Sequence, residues 1–255
     1  MSDKLLKITS LSAAYGENIA MEDISFEIAP GEIVCIVGES GSGKSTLIKA
    51  IHGMSELVIT GGSIVFDGKD ITHLQYSERK KLMGTGIGLI PQNPQASFNP
   101  IRKYEKQFRE ALAGHDMPYD EAEISDRLAR IGIMDGRAVL QNRPYELSGG
   151  MNQRIAIAAA MMFEPKLLMC DEATSALDVT TAGAVVDELL KIRDVLGTSI
   201  LMVTHHLGIA KRMADSIGIM KAGRLIEYGT AEKIFEAPED EYTKNLMRDV
   251  PRLKK

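Results

Sequence analysis

The chain has 255 residues, of which 44% are hydrophobic and 25% are charged, and its formal net charge is -5 at pH 7. This length and balance suit one large α/β domain, or a core with a small subdomain. The acidic balance provides no basic field for nucleic acid, so we expect no nucleic-acid partner. The sequence has neither a secretory leader nor an apolar run of about eighteen residues, the length that marks a membrane span. We therefore expect a cytoplasmic protein that meets a membrane only by docking on other chains.

The cysteines and most of the histidines show no metal-binding pattern. Cys35 and Cys170 each lie within an apolar run. Two cysteines are too few for a disulfide framework, and their spacing does not fit a metal site. We expect both to be buried on strands as small hydrophobic residues. His52, His73 and His115 stand apart from every motif, and we expect them to be solvated.

The sequence before residue 93 predicts short strands, turns and one helix. Alternating apolar and polar residues are typical of half-buried strands, and continuous apolar runs such as Ile33–Val37 are typical of strands buried on both faces. Asp67–Gly68 is typical of a tight hairpin turn. In chain order we predict short strands within residues 5–37, a helix over about 44–52, a hairpin over 64–71 and a strand over 87–90.

The middle of the chain changes character after a loop rich in Pro, Asn and Ser. Its patterns predict helices over about 104–112, 121–131 and 150–163. From Lys166 onward we predict strands over 167–170 and 199–204, a helix over about 181–196, and a strand pair over 217–220 and 224–228. The chain is therefore predicted to form an α/β parallel-sheet core from residues 1–92 and 166–255, interrupted by a helical subdomain over residues 93–165.

A phosphate-binding loop is predicted between the buried strand and the first helix. Residues 38–46 read Gly-Glu-Ser-Gly-Ser-Gly-Lys-Ser-Thr, which fits the spacing G-x-x-x-x-G-K-[ST]. Glycines let backbone N–H groups wrap around phosphate oxygens, and the following helix adds the positive end of its dipole. A glycine-rich surface turn is the alternative, but the flanking strand and helix argue against it. The residues expected to bind the nucleotide are Gly38, Ser40, Gly41, Ser42, Gly43, Lys44, Ser45 and Thr46.

Two carboxylates follow the apolar run 167–170, and the loop makes them candidates for phosphoryl transfer. Lys44 is predicted to reach the β- and γ-phosphates of ATP, and Ser45 to bind Mg²⁺. Asp171 is expected to hold Mg²⁺ from the strand's carboxyl end, and Glu172 to orient the attacking water. A strand that simply ends at the surface is the alternative reading of these two acids.

A second phosphate-binding helix end is predicted at Ser148, Gly149 and Gly150. The serine offers a hydroxyl, the glycines offer bare N–H groups, and the helix dipole favours an anion. The chain already has one complete phosphate site, so we expect this one to grip the γ-phosphate bound by another subunit. An ordinary helix cap would explain Ser148 equally well in isolation.

Taken in order, these motifs resemble the ATP-binding cassette (ABC) ATPase family over nearly the whole chain. The resemblance implies a P-loop, RecA-like core with an antiparallel β-subdomain and an inserted helical subdomain. It also implies a head-to-tail dimer that holds two ATP molecules. Each ATP would lie between the phosphate loop of one chain (the Walker A loop, residues 38–46) and the segment 147–150 of the other chain, which is called the signature. Four further positions match the family: Tyr15 for adenine stacking, Gln92 for reaching Mg²⁺, 175–178 for the contact between protomers, and His205 for the γ-phosphate. An ordinary tyrosine and a simple loop glutamine remain the alternatives for the first two.

Three positions depart from the family pattern. Met151 stands where glutamine is usual, Ala173 where proline is usual, and His206 where aspartate is usual. The phosphate contacts are unchanged by these departures, so we expect a competent ATPase. His205 is expected to be the γ-phosphate sensor because its distance from the preceding strand fits, with His206 as the alternative.

Two segments resemble the peptide and nickel importer branch of the family. They are the loop 92–100 and the tail 231–246, which contains Tyr242 and Thr243. Because no cysteine follows Cys170, we expect no iron–sulfur centre, and the tail is too short for the regulatory domain of sugar importers. The implied partners are a second ATPase subunit, identical or paralogous, transmembrane permease subunits and, indirectly, an extracytoplasmic solute-binding protein.

The leading hypothesis is the ATPase of an importer for a small solute such as a peptide or a nickel complex, bound peripherally at the cytoplasmic face of the membrane. A soluble ABC ATPase acting on DNA or ribosomes is the alternative. Such proteins usually carry two cassettes or a long coiled coil, for which the segment between Gln92 and Leu147 is too short. A third reading, a P-loop kinase or GTPase, does not account for the signature at residues 147–150, which those proteins lack. The sequence alone leaves the cargo open.

Overall fold

Two β-sheets and a helical segment organise the chain in the computed structural model, which describes residues 4–93, 97–130, 132–174 and 179–248. The strands are β1 (Leu6–Tyr15), β2 (Asn18–Ile28), β3 (Ile33–Val37), β4 (Val58–Phe66), β5 (Lys69–Asp70), β6 (Ile87–Ile90), β7 (Leu167–Asp171), β8 (Ser199–Thr204), β9 (Ser216–Lys221) and β10 (Arg224–Thr230). The helices are α1 (Lys44–His52), α2 (Tyr76–Leu82), α3 (Tyr104–Ala113), α4 (Glu121–Arg130), α5 (Gly136–Gln141), α6 (Gly149–Met161), α7 (Val179–Leu196), α8 (Leu207–Met213), α9 (Ala231–Glu236) and α10 (Glu241–Arg248).

The larger sheet has the order β10-β9-β3-β8-β7-β6, and only the β9–β10 pair is antiparallel. Every residue of β3 and β8 is buried, because helices or the second sheet cover both faces. This confirms the parallel-sheet core predicted from the continuous apolar runs. The carboxyl ends of β3, β7 and β8 lie side by side, and the residues that follow them form the candidate site.

The smaller sheet is antiparallel, with the order β2-β1-β4-β5. The prediction of short strands within residues 5–37 holds for β3 but was wrong for β1 and β2, which have 10 and 11 residues. Register shifts interrupt their pairing, and Ser10 and Asp23 adopt positive φ angles of 44° and 53°. Such bulges break the alternation of apolar and polar residues, so one long strand resembles several short ones in the sequence.

Three groups of buried apolar side chains hold these parts together. The first lies between the two sheets and includes Leu47 and Ile51 of α1. The second covers the other face of the large sheet with α7 residues such as Leu189. The third joins the helices of the middle segment through residues such as Phe108 and Ile155. Among the described residues, no helix has the length and apolar character needed to cross a membrane.

Arg79 ties α2 to the end of α1 and brings a charge close to His52. Its guanidinium donates hydrogen bonds to the carbonyl oxygens of Ile51, at 2.7 Å, and of Ile71. His52 is half-buried, which corrects the expectation that it is solvated. Burial, followed by the positive charge of Arg79, lowers the pKa of His52.

We expect His52 to make stability depend on pH. In the unfolded chain its pKa is about 6.5, and in the folded chain it is lower, so the unfolded state binds more protons between these values. Stability is therefore lost as pH falls through about 6.5. Urea unfolding at a series of pH values between 7.5 and 5.5 measures the free energy of unfolding. This free energy should decrease less steeply with falling pH in His52→Gln than in the wild type. The exposed His73, changed to Gln, is the matched control, and an equal change of slope in both variants would contradict the prediction.

Candidate nucleotide site

The phosphate loop joins β3 to α1 and is packed tightly against β9. A side chain at Gly38 would place its Cβ 2.1 Å from the carbonyl oxygen of Met220, so only glycine fits there. Gly43 caps α1 with a φ of 101°, a conformation that other residues rarely adopt. The backbone N–H of Gly223, in the β9–β10 turn, donates a hydrogen bond to the carbonyl oxygen of Ser42 at 2.9 Å. The loop is thus held from behind by the end of the large sheet.

Lys44 lies inside this loop and is almost completely buried. Its Nζ donates hydrogen bonds to the carbonyl oxygens of Gly38 and Glu39 at 2.9 and 2.8 Å. The same nitrogen lies 3.8 Å from the Glu172 carboxylate. Burial lowers the pKa of Lys44, and the carboxylates of Glu172 and Asp171 oppose this effect. The ammonium is therefore positioned at the point where the loop would hold phosphates.

Ser45 and Asp171 are brought together, as their proposed common role requires. The Ser45 hydroxyl donates a hydrogen bond to Asp171 Oδ1 at 2.8 Å. Burial raises the pKa of Asp171, while the hydrogen bond from Ser45 acts in the opposite direction. A hydroxyl and a carboxylate in contact form an oxygen-donor pair of the kind that Mg²⁺ prefers.

Glu172 is the centre of a cluster of predicted site residues. Gln92 Nε2 donates a hydrogen bond to its Oε2 at 3.2 Å, and His205 Nδ1 lies 3.4 Å from its Oε1. Glu172 has a φ of 48°, which is uncommon for a residue other than glycine. Backbone strain of this kind is frequent at functional sites. The structure thus brings Gln92, Lys44, Glu172 and His205 together from four separate parts of the chain.

The two adjacent histidines differ in their surroundings. Their ring centroids are 4.1 Å apart, and only His205 approaches the Glu172 carboxylate within salt-bridge distance. The His206 backbone N–H donates a hydrogen bond to Thr204 Oγ1 at 3.0 Å at the start of α8. Burial, followed by the neighbouring His205, lowers the pKa of His206. This geometry favours His205 over His206 as the sensor.

A pocket of about 420 Å³ opens beside the loop. Its lining consists of Ile19, Ala20, Ser40, Gly41, Gly43, Lys44, Ser45, Thr46, Gln92, Glu172, Ala222 and Gly223. The sequence motifs missed Ile19, Ala20, Ala222 and Gly223, which come from the start of β2 and the β9–β10 turn. Tyr15 lies at the end of β1, outside this lining, with Lys49 Nζ 5.7 Å from its ring centroid.

Ser148, Gly149 and Gly150 lie at the N-terminal end of α6, outside the pocket lining of their own chain. Ser148 Oγ accepts a hydrogen bond from the Met151 N–H at 3.3 Å, so the serine is an N-cap. The side chain of Met151 packs on the apolar core of the helical segment. Ser148 and Gly149 are exposed and accessible to a neighbouring chain.

The helix α6 is also connected to the cluster around Glu172 of its own chain. Gln153 is buried, and its Nε2 donates a hydrogen bond to the carbonyl oxygen of Ala173 at 2.8 Å, directly after Glu172. No motif identified Gln153, because a polar residue on a helix looks solvated in the sequence. The predicted protomer contact at residues 175–178 lies outside the described residues.

The fold and the site together define a P-loop protein with the architecture of an ATP-binding cassette. The profile described as ABC transporter matches residues 21–175. Among curated relatives, an oligopeptide transport ATP-binding protein, OppD of Lactococcus lactis subsp. cremoris (strain SK11), is 36% identical over 98% of this chain and 77% of its own. The dipeptide transport ATP-binding protein DppD of Bacillus subtilis (strain 168) is 36% identical over 98% of this chain and 78% of its own. The chain therefore belongs to the ABC transporter family and is an ATPase.

Solved structures agree with this assignment. CbiO1 from Clostridium perfringens, part of the ABC transporter complex CbiONQ, is 28% identical, with a TM-score of 0.80 over 98% of this chain and 97% of its own. The ATP-binding cassette MJ0796, in a dimeric post-hydrolysis state with ADP and Pi, is 26% identical, with a TM-score of 0.77 over 89% of this chain and 98% of its own. The ABC ATPase fold expected from the motifs is confirmed.

Proposed function

We propose that this chain is the ATP-hydrolysing subunit of an importer for small solutes, with peptides as the leading cargo class. The observation that carries the proposal is the cluster of Lys44, Gln92 and His205 around Glu172. The cargo class rests on the oligopeptide and dipeptide transport proteins among its relatives. A nickel or other metal complex is the second candidate, because the branch resemblance covers both.

The chain's own residues supply the positioning that phosphoryl transfer needs. Loop N–H groups and Lys44 bind the β- and γ-phosphates, and Glu172 orients the attacking water. His205, which lies 3.4 Å from the Glu172 carboxylate, contacts the γ-phosphate. Tyr15 stacks on adenine from the end of β1. The Glu172 carboxylate lies 3.8 Å from Lys44 Nζ and 3.4 Å from His205 Nδ1, which supports a joint role for these side chains.

A magnesium ion fits the oxygen donors at this site. Ser45, Asp171 and the side-chain oxygen of Gln92 would hold it, since hydroxyl, carboxylate and amide oxygens are its preferred ligands. When bound, Mg²⁺ neutralises charge on the β- and γ-phosphate oxygens. The 2.8 Å contact between Ser45 and Asp171 supports this ligand set, since two of the three proposed donors are adjacent.

The working unit is proposed to be a pair of cassettes, either identical or paralogous. Each site would be completed by Ser148, Gly149 and Gly150 of the neighbouring chain, which are accessible at the end of α6. The solved dimer of a similar cassette supports a two-chain unit. Residues 93–165 are proposed to act as a helical signature subdomain, since their apolar side chains form a core of their own. Residues 1–92 and 166–255 form the nucleotide-binding core.

We place the protein peripherally at the cytoplasmic face of the membrane, bound to permease subunits. A groove of about 410 Å³ lies between β6 and the helices α3 and α6. Apolar residues such as Leu89, Phe98 and Phe163 line it, and Arg102 and Glu110 form an ion pair at its edge. The groove suits an amphipathic helix from a permease. A solute-binding protein outside the membrane would act through that permease.

A variant that fills the groove tests this placement. Ala111 is exposed on α3 and lines the groove, so Ala111→Arg should block docking without disturbing the core. The variant, co-expressed with the hydrophobic membrane chains that co-purify with the wild type, should lose co-purification with those chains and solute uptake. ATP binding should be unchanged. Ala122→Arg, at an exposed position on α4, is the matched control.

The same experiment separates the importer from the soluble alternative. Undiminished co-purification of Ala111→Arg with the permease would remove the groove from the docking surface. Co-purification of the wild type with DNA or ribosomes, and with no membrane chain, would favour the soluble ATPase. The transport proteins among the relatives do not favour that alternative, and neither does the net charge of -5.

A further inference from the structure

The C-terminal helix α10 is docked on the large sheet by a motif that the proposed function does not use. Asp240 accepts hydrogen bonds from the N–H groups of Tyr242 and Thr243 at 2.7 and 3.3 Å, which caps the helix. Thr243 is completely buried, and Leu246 and Met247 pack against the core that covers β9. The helix is therefore fixed in place beside the end of β9.

Tyr242 connects this helix to the turn that supports the phosphate loop. Lys221, the last residue of β9, places its Nζ 4.2 Å from the centroid of the Tyr242 ring. This is within the range of a cation–π interaction. The next two residues are Ala222 and Gly223, which line the nucleotide pocket. Gly223 donates its hydrogen bond to Ser42 of the loop. The contact at Lys221 is therefore separated from the loop only by the β9–β10 turn.

Tyr242 also approaches the phosphate loop directly. Its buried hydroxyl lies beside Glu39, without a hydrogen bond of good geometry to it. Burial, followed by the Glu39 carboxylate, raises the pKa of Tyr242. Glu39 is the loop residue whose carbonyl oxygen holds Lys44 Nζ at 2.8 Å. One side chain of α10 thus contacts the last residue before the supporting turn and lies beside the loop.

We propose that Tyr242 is a positioning residue that sets nucleotide affinity by holding the β9–β10 turn and Glu39 in the conformation that binds phosphates. The residue does not touch the nucleotide, and it acts through Lys221 and Glu39. This inference rests on ATP binding by the family, and it is independent of the cargo and of the membrane partner. Its failure would leave the importer proposal unchanged, and the reverse also holds.

The test compares Tyr242→Leu with Tyr242→Phe in the full chain. Loss of the aromatic ring should raise the Kd for both ATP and ADP by about three- to tenfold, in keeping with the range of cation–π energies. The Phe variant keeps the ring and should retain most of the affinity. Since Glu172 is untouched, kcat at saturating ATP should stay within about twofold of wild type. An increase in Kd or KM without a fall in kcat distinguishes positioning from general damage.

A double-mutant cycle with Lys221→Gln tests the connection itself. The effects of Lys221→Gln and Tyr242→Leu on Kd should be non-additive, because each change removes the same contact. Lys233→Gln is the matched control, since Lys233 pairs with Glu239 on the surface and should leave Kd unchanged. Unchanged affinity in Tyr242→Leu, or fully additive effects, would overturn the proposal. A loss of affinity that Phe does not rescue would also overturn it.

Discussion

Glu172→Gln should reduce kcat for ATP hydrolysis by about 10²- to 10⁴-fold while leaving ATP affinity nearly unchanged. The carboxylate loses its charge and one hydrogen-bond acceptor, so it no longer polarises the attacking water. The amide keeps the volume of the side chain and can still contact Gln92 and His205. The loop residues proposed to bind the phosphates keep their own side chains, and Lys44 loses only the charge of its neighbour 3.8 Å away. The expected phenotype is therefore a protein that binds ATP tightly and does not turn it over.

The measurement is steady-state phosphate release beside equilibrium binding of ATP in the presence of Mg²⁺. Glu164 provides a matched control, since it is also a glutamate with positive φ, at 49°, and its side chain is exposed beside Arg127. Glu164→Gln should hydrolyse ATP at the wild-type rate. Wild-type turnover in Glu172→Gln would remove Glu172 from the mechanism. A loss of ATP binding in the same variant would assign it a structural role instead.

Mixing two inactive variants should restore activity if the sites are shared between chains. Lys44→Ala removes the ammonium group that is proposed to bind the phosphates, and Ser148→Arg adds a bulky cation at the exposed end of α6. A mixed dimer of the two contains one intact site, made from the loop of the Ser148 variant and the signature of the Lys44 variant. With random pairing and independent sites, the mixture should reach about a quarter of wild-type activity. Each variant alone should be close to inactive.

Two further variants separate the effects of Ser148→Arg. Ser148→Ala removes the same capping hydrogen bond to Met151 without adding bulk, and it should lower stability by about 1 kcal/mol. Ser77→Arg adds the same cation at an exposed position of α2 and should leave hydrolysis unchanged. A mixture no more active than its components would contradict the shared site. So would full-rate hydrolysis by a strictly monomeric preparation.

The motifs predicted which residues meet at the site more fully than they predicted the shape of the pocket. The proximity of the loop, Asp171 and Glu172 could be predicted because phosphoryl transfer needs fixed residue types at fixed spacing after apolar strands. Ile19, Ala222 and Gly223 could not, because they line the pocket only after distant turns fold onto the loop. The partial burial of His52 was not predicted, because the sequence does not show which distant residues, such as Arg79 of α2, come close to it.

For secondary structure too, elements with a clear local pattern were predicted, and elements that depend on distant contacts were missed. Continuous apolar runs such as β3 and β8 were predicted correctly, as were α1, α3 and most of α6. The bulges of β1 and β2 hid long strands behind an irregular pattern. The helices α2, α5 and α8 have six or seven residues each. Such short helices display too few apolar positions to show a period, and neighbours that are distant in the sequence stabilise them.

The bond from Gln153 to the Ala173 carbonyl gives the N-terminal half of α6 two different contacts. Its first residues are proposed to face the γ-phosphate held by the neighbouring chain, and Gln153, one turn later, holds the backbone next to its own Glu172. A tilt of this helix would therefore shift the backbone beside Glu172 whenever the contact with the neighbouring chain changes. The geometry at the carboxylate proposed to activate water would then depend on that contact.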